Sequence, residues 1–351
     1  MESGRKLRRE CTREIRNGDG SMKSRLVSGV LKAFLRWFYD VEGSSIHLES
    51  NEGDELEIDL PNSYNEQKGK EWYARLKDLE REFDREAEDP HTTMLTFSSS
   101  STNEDGMLRP PGDHLRELQE SWSPSVRREL QRQMSDAGFD RYDPDEEQAR
   151  WWEYVTVVEP HGSSGGVASG YGHFHTAVFT SHEVKKEMFV PVIRKHVKKC
   201  EYAQHAAHNC YHPDPSKRPI SINQVTGDSE SGLGNLGSYL SEYIGGFSGP
   251  PNEREVFELV FQSVCWSTAT QRVRFSNGAN QLSRQGHARR TEPDKITDEE
   301  WTAVAIENSE GETYPVAQKG GQDWMVEILN GPPIAPDRPG DRADRGAPPP
   351  D

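Results

Sequence analysis

A β-strand is predicted by the sequence Tyr171-Gly172-His173-Phe174-His175-Thr176-Ala177-Val178-Phe179, whose aromatic and β-branched residues favour extended backbone. The segment from Trp151 to Val158 has the same character and precedes it, and a glycine-rich connection spans 161–172. We therefore expect 152–159 and 173–181 to form an antiparallel hairpin.

The predicted strand carries a pair of histidines at positions i and i+2. Successive side chains of a strand point to opposite faces, so His173 and His175 lie on the same face. Two imidazoles can hold one divalent ion when a carboxylate from a neighbouring strand completes the site. Glu159, which ends the preceding strand, is one candidate, and Glu153 or Glu183 could serve instead. Solvent-facing histidines on a sheet are the alternative interpretation.

A second chemical feature is a tyrosine pair on a helix predicted over 236–244. Tyr239 and Tyr243 are four residues apart, which places both phenols on one helix face. A phenol of pKa about 10 is a weak nucleophile, but a divalent ion that polarises a phosphate makes its attack feasible. The products are a phosphotyrosine and a free 3′-hydroxyl. Aromatic packing on an amphipathic helix is the alternative.

Together these segments resemble the HUH-endonuclease replication initiators of rolling-circle plasmids and phages, and look closest to those of small haloarchaeal plasmids. Three motifs occur in the family's order: Met94-Leu95-Thr96-Phe97, His173-Phe174-His175 and Tyr239-Leu240-Ser241-Glu242-Tyr243. Val157-Val158-Glu159 resembles the strand-end acid that often joins the histidines, and 266–279 resembles a block that follows the tyrosine helix. The family usually has lysines where this chain has Glu242 and Gly246.

The resemblance implies an α+β fold with a central antiparallel sheet flanked by helices, an RRM-like core. It implies Mg²⁺ or Mn²⁺ bound by His173, His175 and Glu159, with Tyr243 as the first nucleophile and Tyr239 as the second. The substrate is single-stranded origin DNA, and a host helicase and polymerase are the expected partners. A related transposase or mobilisation relaxase, or a DNA-binding regulator with an inactive core, are the competing functions.

Basic residues are concentrated where the phosphate backbone could be held. In an otherwise acidic chain, 182–199 is rich in lysine and arginine, and two further arginines follow the tyrosine motif. The alternative is a solvated helix face. The candidate DNA-binding residues are Lys185, Lys186, Arg194, Lys195, Lys198, Lys199, Arg272 and Arg274.

The composition excludes several classes of protein. Among the 351 residues, 32% are hydrophobic and 29% charged, and no apolar run is long enough to cross a membrane. The net charge of −17 is spread along the chain and arginine outnumbers lysine, which favours a halophilic protein. In molar salt the Debye length falls to about 3 Å, so the acidity does not exclude DNA binding. No GxxxxGK[ST] motif occurs, and a nucleotide cofactor is not expected.

The cysteines and the ends of the chain complete the sequence-based picture. Four cysteines without a CxxC spacing indicate a reducing cytoplasm. Cys200, His205, His208 and Cys210 are close in sequence, but their spacing matches no usual zinc site. We expect an acidic, helical N-terminal extension over 1–88, a catalytic domain over 89–280, a further extension over 281–330 and a disordered, proline-rich tail over 331–351.

Overall fold

The structure is a computed structural model that describes residues 14–16, 22–24, 27–51, 53–60, 62–160, 170–224, 250–290, 301–307, 311 and 313–315. Its α-helices are α1 (Val27–Glu42), α2 (Glu66–Glu86), α3 (Pro111–Glu120), α4 (Arg127–Asp136), α5 (Lys186–Lys199), α6 (Val256–Ser267) and α7 (Asn277–Arg290). A π-helical turn, Ser121–Val126, joins α3 to α4.

Twelve β-strands are present in the described ranges. They are β1 (Glu14–Arg16), β2 (Met22–Ser24), β3 (Ser45–Ser50), β4 (Glu55–Asp59), β5 (His91–Phe97), β6 (Asp140–Arg141), β7 (Trp151–Pro160), β8 (Gly172–Thr180), β9 (Ile220–Gln224), β10 (Val273–Phe275), β11 (Trp301–Glu307) and β12 (Thr313–Pro315).

The chain forms two compact units, each assembled from segments that are distant in sequence. The first contains Met1–Lys68, Ser248–Thr270 and Asp294–Asp351, and the second contains Gly69–Phe247 and Gln271–Pro293. These units do not follow the consecutive segments predicted from the sequence. Most of α2, which lies in the predicted N-terminal extension, belongs to the second unit because its apolar face packs on the large sheet.

In the first unit, α1 packs against α6, and a separate antiparallel sheet has the order β12-β11-β3-β4. The apolar residues of α1 recur at helical spacing and are buried, as the sequence pattern predicts. Their rings form an aromatic cluster in which Phe34 and Trp37 lie 5.9 and 5.7 Å from Trp266. The segment predicted as a helical extension thus also contains four strands, β1 to β4, of which β3 and β4 join this sheet.

The second unit is built on a sheet of order β10-β7-β8-β5-β9, in which all neighbours run antiparallel, and β6 adds to β7 in parallel. The predicted α+β fold with a central antiparallel sheet is confirmed. The predicted hairpin of β7 and β8 is also confirmed, with Glu159 directly opposite His173.

Helices cover both faces of this sheet. On one face, α2 and α7 pack against a cluster that includes Val155, Ala177 and Phe179. On the other, Phe97 contacts Trp122 at 5.4 Å and His196 of α5 at 5.3 Å between ring centroids. The sheet is therefore the middle layer, and its strand ends carry the polar groups described below.

Close contact between α2 and α7 depends on a glycine. A Cβ placed on Gly286 would lie 2.4 Å from the carbonyl oxygen of Asp78. The Asp78 carboxylate, which is buried, pairs with Arg290 of α7 through Nε–Oδ1 and Nη2–Oδ2 contacts of 3.0 and 3.1 Å. Any side chain at position 286 would separate the two helices and weaken this ion pair.

We predict opposite effects for two glycine-to-alanine substitutions in helices. Gly286→Ala should lower the free energy of unfolding by about 2 kcal/mol, because the new methyl group meets backbone that cannot move aside cheaply. Gly29→Ala in α1 should raise it by roughly 0.5–1 kcal/mol, since nothing lies within 4 Å of that position and alanine favours a helix. Thermal denaturation of both variants tests this, and an unchanged or higher melting temperature for Gly286→Ala would contradict it.

Candidate metal centre

The pairing of β7 with β8 brings three potential metal ligands to one face of the sheet. Glu159 lies opposite His173, and Val157 lies opposite His175. Residues directly opposite one another share a face, as do residues two apart on one strand. Glu159, His173 and His175 therefore project together, and they are the one group of this kind in the described part of the chain.

The ligand atoms of these residues are close enough to share one ion. The two histidine Nε2 atoms are 2.7 Å apart, and Oε2 of Glu159 lies 3.3 Å from His175 Nε2 and 3.7 Å from His173 Nε2. Neighbouring ligands of an octahedral ion with bonds of about 2.1 Å are separated by roughly 3 Å. The three atoms thus have the spacing of one face of a coordination sphere.

The environment of Glu159 also fits a cation. Its side chain is 1% exposed, and among the described residues neither carboxylate oxygen has a hydrogen-bond partner. Burial raises the pKa of Glu159 to about 9. A buried carboxylate without donors is costly, and a bound cation would remove that cost. Two imidazoles and one carboxylate suit Mn²⁺, and Mg²⁺ could bind there with water as its remaining ligands.

Strand β5 supplies a residue that orients the site. Oγ1 of Thr96 lies 3.0 Å from Nδ1 of His175, the residue opposite it in the β5–β8 pair. When Nδ1–H donates to this hydroxyl, the Nε2 lone pair faces Glu159 and is available to a metal. The sequence places Thr96 in the first motif, but its contact with His175 follows from strand pairing that no local pattern encodes.

A second supporting contact holds the start of β8. His114 of α3 is fully buried, with Nε2 2.8 Å from the carbonyl oxygen of Gly172 and Nδ1 3.3 Å from that of Ser100. This ring joins the strand that carries His173 to the loop that follows β5. Sequence analysis does not identify His114, because its partners are distant in the chain and are backbone groups.

The other two candidate acids are placed elsewhere. Glu153 is buried and forms two hydrogen bonds with Arg141, and a Cβ on Gly278 would lie 2.4 Å from its Oε1 atom. Glu183 is exposed in the connection between β8 and α5. The structure therefore brings Glu159 to the histidine pair, and neither of the alternatives.

The predicted DNA-binding residues fall into two groups. The lysines and arginines of 185–199 are exposed or half-buried on and just before α5, which packs through His196 on Phe97. Phe97 points to the face opposite Thr96 and the histidine pair, so these basic residues lie across the sheet from the candidate metal centre. Their contact with DNA stays a prediction.

In the second group, the backbone of Arg272 adjoins the candidate metal centre. The Arg272 carbonyl accepts a hydrogen bond of 2.8 Å from the Val158 amide, one residue before Glu159. Arg274 is opposite Thr156 in the β10–β7 pair, so its side chain points to the face of the sheet away from the histidine pair. The Arg272 side chain is 4% exposed, with its guanidinium 5.5 Å from the centroid of the Trp72 ring. Tyr239 and Tyr243 lie outside the described residues, so the predicted approach of the two phenols to the metal ligands stays a prediction.

The cysteine and histidine cluster does not assemble a metal site in the described structure. Cys200 donates to Oε1 of Glu117 at 3.2 Å. His208 accepts from the Ser98 amide at 3.2 Å and donates to the Gln204 carbonyl at 2.8 Å, so both of its ring nitrogens are engaged.

Comparison with known proteins identifies relatives of the whole chain. Residues 1–317 match the model of a family described as "Putative rep protein (DUF1424)". An "Uncharacterized 36 kDa protein" of Halobacterium salinarum is 31% identical over 333 residues, which cover 94% of this chain and 98% of that protein. A protein with the same description from Halobacterium sp. (strain GN101) is 31% identical over 343 residues, or 94% of this chain and 96% of that protein. No solved structure matches the chain.

Removing the Thr96 hydroxyl should weaken metal binding. We expect Thr96→Val to raise the dissociation constant for Mn²⁺ by about 10-fold, because the His175 ring loses the partner that orients it, whereas Thr96→Ser should bind nearly as well as the unmodified chain. Isothermal titration calorimetry measures both.

The matched control is Thr93→Val on the same strand. The Thr93 hydroxyl is buried without a hydrogen-bond partner among the described residues, and it points to the opposite face. This variant should keep the Mn²⁺ affinity unchanged. Equal affinities for Thr96→Val and Thr93→Val would show that Thr96 does not orient the site.

Buried histidines should make the fold sensitive to acid. His196 is 1% exposed between Ser121 and Ser98, and burial, aided by the neighbouring His208, lowers its pKa to about 4. The unfolded chain takes up this proton near pH 6.5, so stability is fully present above that pH and is lost as the pH falls towards 4. The loss from His196 should total roughly 3 kcal/mol.

Denaturant unfolding between pH 4 and 8 tests this expectation. His196→Gln should have a flatter pH profile, whereas the same change at the exposed His205 should leave the profile steep. A His196→Gln profile as steep as that of the unmodified chain would contradict the assignment.

Proposed function

We propose that this chain, which belongs to the family described as "Putative rep protein (DUF1424)", initiates rolling-circle replication of a plasmid by nicking and rejoining single-stranded origin DNA. The observation that carries this proposal is the convergence of Glu159, His173 and His175 on one face of the central sheet, in a chain whose motifs follow the order of HUH endonucleases.

The chemistry follows from what these residues can hold. A divalent ion bound by the three ligands would polarise the scissile phosphate and offset its negative charge. The buried Glu159 contributes the negative charge of the site. The contact of Thr96 with Nδ1 of His175 keeps Nε2 of that histidine directed towards Glu159. The residues of the sheet are held by backbone pairing on both sides of β8, so the ligands need little rearrangement.

The proposed nucleophile is the hydroxyl of Tyr243. Its oxygen attacks the phosphorus, the bond from phosphorus to the 3′-oxygen breaks, and the leaving oxygen takes a proton to become a 3′-hydroxyl. The 5′-phosphate stays on the tyrosine as a phosphodiester. After one round, Tyr239 cleaves the regenerated site, and the released 3′-hydroxyl attacks the first phosphotyrosine to rejoin the ends. No nucleotide cofactor is needed, because each transfer conserves the phosphodiester.

The proposed setting is the cytoplasm of a halophilic cell, where a host helicase and polymerase extend the 3′-end. The two relatives come from Halobacterium, and the net charge of −17 fits the same environment. At molar salt, long-range repulsion between the acidic chain and DNA is screened, so contacts at short range decide binding. In the described part of the chain, no helix is both long and apolar enough to span a bilayer.

A covalent-adduct assay tests the proposal. Protein, Mn²⁺ and a labelled single-stranded origin oligonucleotide are combined in high salt, and a denaturation-resistant protein–DNA band is sought. We expect the adduct with the unmodified chain, at least a 100-fold loss with Tyr243→Phe, and a comparable loss with Glu159→Gln. Tyr239→Phe should still form the first adduct but should not complete the second transfer.

The same assay separates the competing functions. An unmodified chain that binds the oligonucleotide but yields no adduct with any divalent metal would be a DNA-binding regulator, and the proposal would be wrong. Circular plasmid products would favour an initiator over a transposase, which yields excised element ends.

A further inference from the structure

An arginine pair lies between α2 and α7 on the same sheet face as the candidate metal centre. Nη2 of Arg75 donates to Oδ1 of Asn280 at 2.5 Å, and its guanidinium stacks 4.4 Å above the centroid of the Phe275 ring. These contacts hold the Arg75 side chain in one place, half-buried at the surface.

Arg284 shares this surface. It is four residues after Asn280 on α7, so both side chains project from the same side of the helix. Burial and the positive charge of Arg284 lower the pKa of Arg75, while Glu71 partly opposes them, which is consistent with two guanidinium groups close together. Arg284 itself is exposed.

The surroundings of Arg284 differ from those of the other α7 arginines. Arg289 contacts Glu82 at 3.0 Å and Arg290 contacts Asp78 at 3.0 Å, so both charges are neutralised by α2. Within the described residues, Arg284 has no such carboxylate partner. Two adjacent positive charges repel each other and destabilise a fold. A bound anion that contacts both guanidinium groups would offset this repulsion, and it would account for two neighbouring arginines in a chain of net charge −17.

The position of the pair indicates which anion. Phe275, beneath Arg75, is opposite Val155 in the β10–β7 pair. Val155 and Glu159 lie on the same face of β7, four residues apart, which corresponds to about 13 Å along the strand. That distance spans a few nucleotides of a single strand whose scissile phosphate lies at the metal ligands.

We propose that Arg75 and Arg284 form a binding site for the phosphate backbone of the single-stranded DNA that flanks the cleavage point. Arg75 provides a fixed guanidinium fork, ordered by Phe275 and Asn280, and Arg284 adds a second charge at the rim. The inference rests on the proposed function for the identity of the strand, but the site itself is defined by contacts outside the metal centre.

The test measures binding of a fluorescein-labelled oligo(dT) 30-mer by anisotropy over a series of salt concentrations. The salt slope is the magnitude of the slope of the logarithm of the binding constant against the logarithm of the salt concentration. Arg284→Gln should weaken binding and lower this salt slope by about 0.7, and the Arg75→Gln/Arg284→Gln double variant should lower it by about 1.4. Arg75→Lys keeps the positive charge and should preserve the salt dependence, but its affinity should fall because lysine lacks the planar guanidinium that Phe275 and Asn280 order.

Arg132→Gln is the matched control, because Arg132 is an exposed arginine on α4 that is paired with Glu129 and Asp136. It should bind the oligonucleotide like the unmodified chain. If Arg284→Gln and the double variant have the salt slope of Arg132→Gln, or if the unmodified chain does not bind the 30-mer, the proposed site is wrong. Because Arg284 is exposed, Arg284→Gln should leave the fold intact, and a loss of DNA affinity in this variant would reflect the lost contact.

Calorimetric titration of Mn²⁺ into the same variants separates this site from the proposed function. The double variant should keep the Mn²⁺ affinity of the unmodified chain while its DNA affinity falls, which supports the phosphate site directly. The double variant could have a reduced DNA affinity while the unmodified chain forms no covalent adduct. That combination would support the phosphate site and overturn the nicking function alone.

Discussion

The antiparallel register of β7 and β8 is the constraint on which the candidate site depends. Glu159 faces His173 only because these residues are directly opposite, and a shift of one residue would turn the carboxylate to the other face of the sheet. The register is stabilised by burial on both faces. Val155 and Ala177 pack under α2 and α7, and on the opposite face the Thr156 and Thr176 hydroxyls lie 3.0 Å apart. Slippage would separate the first pair from its apolar partners on α2 and α7 and would break the contact between the two threonine hydroxyls.

Burial shifts the pKa of an acidic group and the pKa of a basic group in opposite directions in the second unit. It raises the pKa of Glu159 and lowers that of His196, because in both cases the charged form loses its hydration. His196 meets this cost by remaining neutral, with hydrogen bonds to Ser121 and Ser98. Glu159 has no described hydrogen-bond donor, and its two neighbours are imidazoles. The first arrangement is typical of a structural residue, and the second of a metal ligand.

Charge is distributed on two scales in this protein. The chain as a whole is strongly acidic, and much of that acidity is exposed, as along β4. Locally, arginines from α7 neutralise the buried acids of α2, and Arg75 and Arg284 remain as a small basic surface. Such short-range complementarity persists in concentrated salt, whereas the long-range field of the acidic surface does not.

The local features of the site are contained in the sequence. Alternation along 173–175 places both histidines on one face, the residue types of 151–159 predict the partner strand, and the glycine-rich connection predicts their hairpin. These patterns leave Glu153, Glu159 and Glu183 as candidate ligands, and the β7–β8 register then places Glu159 opposite His173. What the tertiary structure alone decided involves residues distant in the chain. Strand β5 inserts between β8 and β9, which gives His175 its contact with Thr96, and α5 packs on the face away from the histidines, which moves its lysines across the sheet. Arg75 reaches Asn280 because α2 and α7, which are far apart in sequence, cover the same face of the sheet. Secondary-structure period depends on neighbouring residues, whereas strand order and the choice of sheet face depend on which distant apolar surfaces bury each other.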